Sequence, residues 1–162
     1  MIRQDLWRLS APMVAMVWRH LPLGVRRTIL WRATSKFLVG VAAVCLNSQG
    51  QALLLKHRFH TADRAWGLPG GWMTRGEAPE EAVHRELREE TGLQAEIIAP
   101  LLTDGDGEWI ELIYLCRINS DQPHLQAEEL IDWRWCDPGT VEVPMLASHR
   151  HALRLAAQRC GA

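Results

Sequence analysis

The stretch GWMTRGEAPEEAVHRELREETGL, residues 71–93, decides the fold. It opens in a glycine-rich run and closes as a helix. Pro79 suits a first helical turn, Glu80 and Glu81 sit beside the positive N-terminal end, and Gly92 follows the last helical residue, so the pattern predicts a helix over Pro79 to Thr91. At about 100° per residue, with Glu86 taken as zero, Glu90 falls near 40° and Glu89 near −60°. Three carboxylates therefore share an arc of about 100°, where like charges three and four residues apart repel. Val83 and Leu87 take the adjoining sector and anchor the helix on a core. A repulsive acidic cluster beside an apolar anchor needs a compensating cation. A hard divalent ion with oxygen ligands supplies one, and magnesium prefers one or two carboxylates together with substrate phosphates. A solvated acidic face is the plain alternative. It loses weight because Gly70 and Gly71, which let backbone approach a ligand closely, lead straight into the helix. Glu77, ahead of the helix, is placed to reach back to Arg85 and hold the register of the cluster.

Upstream of this stretch, Phe37 to Leu46 (FLVGVAAVCL) is an apolar run of strand length. A turn at Asn47-Ser48-Gln49-Gly50 joins it to a partner strand, Gln51 to Lys56, which predicts a hairpin. His57 to Trp66 reads as a polar loop and Gly67 to Glu77 as an irregular one. Downstream, strands are expected at Gln94 to Leu102, Trp109 to Ile118 and Leu130 to Cys136, with a closing helix over Ser148 to Arg159. Strands, one central helix, more strands and a last helix indicate an α/β (α+β) domain with a mixed sheet. The chain has 162 residues, 48% apolar and 23% charged, which suits a single globular core and excludes disordered, collagen-like and disulfide-scaffold classes.

The net charge of −1 hides an asymmetry. Residues 1–36 carry seven basic side chains (Arg3, Arg8, Arg19, Arg26, Arg27, Arg32, Lys36) against Asp5, a net of +6, and the remainder carries −7. Two short helices, 3–20 and 24–34, divided at Leu21-Pro22-Leu23-Gly24, make this a basic helical arm ahead of a domain over 37–162. With Trp7, Trp18 and Trp31 the arm has three readings: packing on its own domain or on a second subunit as a homodimer, lying on an anionic membrane surface, or binding RNA. Its apolar stretch, Leu9 to Trp18, is shorter than the ~20 residues a spanning helix needs, and it reads as retained rather than cleaved. Cys45, Cys116, Cys136 and Cys160 show no C-x-x-C spacing, so reduced structural thiols and a cytoplasmic setting are expected.

The segment from Gly71 resembles the Nudix hydrolase motif, G-x5-E-x7-R-E-U-x-E-E-x-G-U with U aliphatic. Gly71, Glu77, Arg85, Glu86, Leu87, Glu89, Glu90, Gly92 and Leu93 fill all nine specified positions. Trp66-Gly67-Leu68-Pro69-Gly70 is similar to the family's approach to its motif, and the strand order from about 37 to 159 to its α/β/α sandwich around a mixed sheet. The resemblance implies a hydrolase that cuts a phosphoanhydride in a nucleoside diphosphate linked to another group, with Mg2+ or Mn2+. By motif position, Glu86, Glu89 and Glu90, joined by the Gly70 carbonyl beside Gly71, would hold the metal, and Arg85 would orient them through Glu77. Metal-bound water is acidified and a carboxylate takes its proton. Glu129, in a stretch from Glu128 to Trp133 that resembles the family's later acidic stretch before the penultimate strand, is the candidate base, with an ordinary loop carboxylate as its alternative. Arg58 is a candidate phosphate contact, and Trp66, Trp72 and Trp109 are candidate stacking surfaces, each with core packing as its alternative. His57 and His60 join Arg58 in a basic cluster, while His149 and His151 are expected to face solvent. Trp109 stands where an ADP-ribose subclass carries proline, and Tyr114 lies a few residues late for a dinucleoside-polyphosphate subclass, so the substrate stays open. A catalytically weak nucleotide-binding or sensing module is the alternative function.

Overall fold

The computed structural model describes residues 5–160, with side-chain surroundings for 13–159. Arg3 and the side chains of Trp7, Arg8 and Cys160 lie outside the described residues. The chain divides between Lys36 and Phe37 into two units. In the first, helix α1 (Asp5–His20) and helix α2 (Leu23–Ala33) meet at Leu21-Pro22. The junction is held by the Arg26 side chain donating to the Leu21 carbonyl at 2.9 Å. Met13, Val14, Met16, Val17, Leu23 and Trp31 are exposed. Among the described residues no helix is long and apolar enough to cross a membrane.

The second unit is a mixed seven-stranded sheet with one helix on each face, an α+β architecture. Its strands are β1 (Leu38–Leu46), β2 (Ala52–His57), β3 (Trp66–Gly67), β4 (Gly70–Trp72), β5 (Ala95–Gly105), β6 (Trp109–Ile118) and β7 (Leu130–Cys136). The main path runs β3-β2-β1-β6-β5, with β4 on β1 and β7 on β2. β1 and β6 are parallel over nine positions, from Leu38↔Trp109 to Leu46↔Arg117. Both faces of β1 are covered from Gly40 to Leu46, which is why that part of FLVGVAAVCL is apolar throughout instead of alternating, while Phe37 and Leu38 at its entry are exposed. Val41, Ala43 and Cys45 pack under helix α3 (Pro79–Thr91) with Ala82, Val83 and Leu87. Ala42, Val44 and Leu46 pack under helix α4 (Ala147–Cys160) with Ala152, Leu153 and Ala156.

Three details depart from the sequence expectation. The β1–β2 hairpin is short: the strands share only the Leu46↔Ala52 pair before they diverge, β2 pairing with β7 along its other edge and with β3 further on through Leu55↔Gly67 and Lys56↔Trp66. The edge of β1 thus freed is taken by β4 through Gly40↔Trp72, Val41↔Gly71 and Ala42↔Gly70. The run Gly67 to Glu77 is therefore not irregular throughout, since the short strands β3 and β4 occupy its start. β5 runs three residues further than expected, to Gly105, because its hairpin with β6 continues through Asp104↔Glu111. Pro100, which has no amide to donate, sits where the β5 register shifts.

Candidate active site

α3 carries the site, and its ends are built as the sequence requires. Pro79 is the first helical residue, Glu81 accepts the Ala78 amide at 3.0 Å, and Gly92 closes the helix in the left-handed region at φ 70°. Val83 and Leu87 are 2% and 1% exposed, so the helix is keyed into the sheet and its carboxylate side faces the glycine strand β4. Tyr114 of β6 adds a hydrogen bond to Glu80 at 3.2 Å.

The three motif carboxylates have different surroundings. Glu90 is 3% exposed, and one of its oxygens accepts the Gly70 amide at 2.9 Å. Burial, then the charges of Glu86, Glu129 and Glu89, push its carboxyl up to about 8, against the pull of the Gly70 amide. Glu86 is nearly buried and lies against Gly71: a Cβ there would stand 2.5 Å from Oε1 and 2.7 Å from Oε2. Glu89 is largely exposed. Arg85 ties the group together. Its guanidinium donates to Glu77 at 2.7 and 3.1 Å, to Glu86 at 2.7 Å, to the Trp72 carbonyl at 3.0 Å and to Glu89 at 3.3 Å. Glu77 in turn accepts the Thr74 amide and hydroxyl, both at 2.9 Å. Arg85 first, then these Thr74 bonds, holds the Glu77 carboxyl down at about 2. Among the described residues no three His, Cys, Asp or Glu side chains stand together as a ready-made ligand cluster. Arg85 occupies part of that space and draws Glu86 toward itself. The donor set nevertheless suits a hard divalent cation: all ligand atoms are oxygens, the backbone leaves room at Gly71, and a buried carboxylate faces three others without full compensation.

The other expected residues are spread around this centre. Glu129 is exposed on the segment before β7, and its carbonyl accepts the Arg58 amide at 2.7 Å. That segment is laced to the end of α3 by the Gln126 amide on the Glu90 carbonyl at 3.0 Å and the His124 amide on the Thr91 carbonyl at 2.8 Å. Arg58 and Glu129 both line a solvent-open pocket of about 650 Å³, together with Phe59. Trp72 is 57% exposed, its ring edge over Gly40, while Trp109 is half-buried at the start of β6. Trp66 is 5% exposed, and the Arg134 guanidinium lies 3.8 Å from its ring centroid, so it props the glycine segment and offers no free stacking face. The basic cluster is not uniformly charged. His57 stacks on His60, and burial, then the charges of His60 and His149, lower its pKa to about 4.

His149 corrects the sequence reading. Expected on a solvent face, it is 7% exposed, accepts the Leu68 amide at Nδ1 (3.1 Å) and approaches Glu111 through Nε2 (3.3 Å). Helical spacing on α4 does place it one turn before Leu153, but only the position of β3 shows that this face covers the glycine segment. His151 is exposed as expected.

Residues 36–156 match the NUDIX domain profile. The human 8-oxo-dGDP phosphatase NUDT18 is 32% identical over 124 residues, covering 73% of this chain and 38% of that protein. The chain spans well under half the length of the 8-oxo-dGDP phosphatase NUDT18 relatives it matches. Among solved structures, a MutT Nudix hydrolase from Burkholderia pseudomallei superposes with TM-score 0.64 at 27% identity, covering 75% of this chain and 98% of that one. The Nudix domain of Shewanella oneidensis NrtR, solved with ADP ribose, superposes with TM-score 0.67 at 24% identity over 80% of this chain and 92% of that one.

Proposed function

The chain belongs to the Nudix hydrolase family, and from that premise we propose that it is a divalent-metal-dependent pyrophosphohydrolase cleaving a phosphoanhydride in a nucleotide derivative. The observation that carries this reading is Glu90: a buried carboxylate, raised to about 8, beside Glu86 and Glu89 where Gly70 and Gly71 bring bare backbone up to them. Isolated burial of that kind is costly, and a cation with its phosphate ligands removes the cost. Magnesium or manganese, held by Glu86, Glu89, Glu90 and the Gly70 carbonyl, would supply Lewis acidity toward phosphate and an acidified water.

The chain's own residues divide the remaining work. Arg85, fixed by Glu77, orients Glu86 and the Trp72 carbonyl, so the two ends of the motif keep one geometry. Glu129, exposed at the rim and close enough to raise the Glu90 pKa, is the proton acceptor in this reading. Arg58, beside Glu129 across the open pocket, meets substrate phosphate. Trp72 and Trp109, on either side of the start of β1, offer faces to a base. The relatives named for 8-oxo-dGDP and 8-oxo-dGTP support a nucleotide as substrate. In the same reading, residues 1–36 form an arm separate from the catalytic domain over 37–162, and its exposed apolar side is a homodimer contact. Sedimentation of the full chain at several concentrations tests that contact, with anionic vesicles and RNA as competing ligands.

The test of the reaction is a panel of nucleoside di- and triphosphates, nucleotide sugars, ADP-ribose and dinucleotides with Mg2+, scored by product identity and kcat/KM. Glu90→Gln is expected to keep the fold and lose most turnover. Wild-type activity in that variant overturns the assignment, and nucleotide binding without turnover in the wild type identifies a sensing module.

A further inference from the structure

The chain changes strand partner at Leu68-Pro69. Trp66 and Gly67 pair with Lys56 and Leu55 of β2, whereas Gly70 to Trp72 pair with β1. Pro69 has no amide, so the amides of Leu68 and Gly70 flank the crossover. The Gly70 amide goes to Glu90 at 2.9 Å and the Leu68 amide to His149 Nδ1 at 3.1 Å. Leu68 is 2% exposed, so its amide has no solvent to turn to, and an unmet buried donor costs on the order of 1–3 kcal/mol.

The same helix entry grips the segment one step earlier, where the Trp66 amide donates to the Pro144 carbonyl at 3.0 Å and Trp66 bridges Met145. His149 accepts at Nδ1, so its hydrogen sits on Nε2, which donates to Glu111 Oε1 at 3.3 Å. Gly67 packs against both imidazoles: a Cβ there would stand at ordinary contact distance, 3.4 Å from His149 Nδ1 and 3.5 Å from His57 Nε2.

We propose that His149 is a positioning residue for the Glu86–Glu90 site: by holding the Leu68 amide it sets the phase at which Gly70 and Gly71 reach those carboxylates. The assignment rests on the hydrolase reading above. It places the residue on the opposite face of the sheet from α3, with its effect carried through two residues of backbone.

Three variants of the full chain test it. Asparagine puts Oδ1 where Nδ1 stood and keeps the acceptor, glutamine presents its amide at the Nε2 position instead, and alanine keeps neither. His149→Ala and His149→Gln are expected to lower kcat roughly tenfold, as loss of a supporting contact does, while KM changes by less than about twofold. Amide exchange at Leu68 and Gly70, read by NMR, accelerates in the same two variants. His149→Asn restores both readouts. Equal behaviour of the asparagine and glutamine variants, or unchanged exchange at Gly70 in the glutamine variant, overturns the proposal. If His149→Ala does not fold, the asparagine–glutamine contrast decides alone. A wild-type chain that turns over no nucleotide sinks the hydrolase reading instead, and the exchange comparison still tests whether His149 holds the segment.

Discussion

Gly71→Ala and Gly70→Ala change adjacent residues by one methyl group and should fail in opposite ways. At Gly71 the new Cβ would lie 2.5 Å from Glu86 Oε1, 2.6 Å from Cδ and 2.7 Å from Oε2. Ordinary contact begins at 3.4 Å, so the Glu86 carboxylate retreats by about 0.9 Å. That carboxylate is the free end of a flexible side chain, and its retreat leaves the fold within about 1 kcal/mol of wild type. A ligand displaced by about 1 Å costs on the order of 100-fold in rate, or about 2.7 kcal/mol of transition-state stabilisation. At Gly70 the new Cβ would overlap the Val41 carbonyl oxygen and stand 2.7 Å from the Ala42 Cα, and neither atom of the central strand can withdraw. Gly70→Ala should therefore lose about 3 kcal/mol or more of stability. Urea titration gives the stability of each variant, and kcat/KM with Mg2+ on the best wild-type substrate gives the activity. A Gly71→Ala protein that melts like wild type and keeps kcat/KM within about threefold would refute the claim that Glu86 works from its place against Gly71.

Other outcomes follow from single contacts. Arg85→Lys replaces a guanidinium that reaches Glu77, Glu86, Glu89 and the Trp72 carbonyl by a point charge that cannot span them, and activity should fall roughly 10- to 100-fold with little change in melting temperature. His57 has its folded pKa lowered to about 4, below the unfolded value, so the folded chain binds fewer protons and stability is full above about pH 6.5 and lost as pH falls toward 4. Between pH 7.5 and 5 the wild type should lose about 1–2 kcal/mol more than His57→Gln in paired urea titrations. Cys45 and Cys116, cross-strand neighbours in the core, should stay unreactive toward a disulfide reagent until the chain unfolds, because their mutual hydrogen bond and burial hold the Cys45 thiol well above its usual range. Fast labelling of either thiol in the native protein would contradict that packing.

α3 was legible to the residue because everything that defines it is local: proline at its start, glycine at its end, and a three- and four-residue apolar spacing between. The same locality made the Glu77–Arg85 pairing readable, since eight residues of loop and helix separate the two. β6 and β7 matched their predicted spans, because long β-branched and aromatic runs bounded by turn residues carry that signal alone. The hairpin forms where the sequence puts it, but its short extent is not legible, because a turn reports only that two strands approach. How far they stay paired depends on which other strand competes for the edge, and β4, twenty-odd residues away, won it.

The kinds of residue at the centre, three carboxylates with an arginine and two glycines, were set by the sequence alone, since charge, size and helical angle belong to the residues themselves. Which carboxylate is buried, which lies against Gly71 and which stands in solvent was settled only when β4 came to rest on β1 beneath α3. His149 makes the same point from the other face. Helical spacing sets it on the Leu153 side of α4 and His151 off it, but its burial and its bond come from a segment more than eighty residues away, which brings the Leu68 amide against the helix. Desolvation and hydrogen bonding depend on what is near in space, and for these groups nearness in space is a property of the assembled sheet.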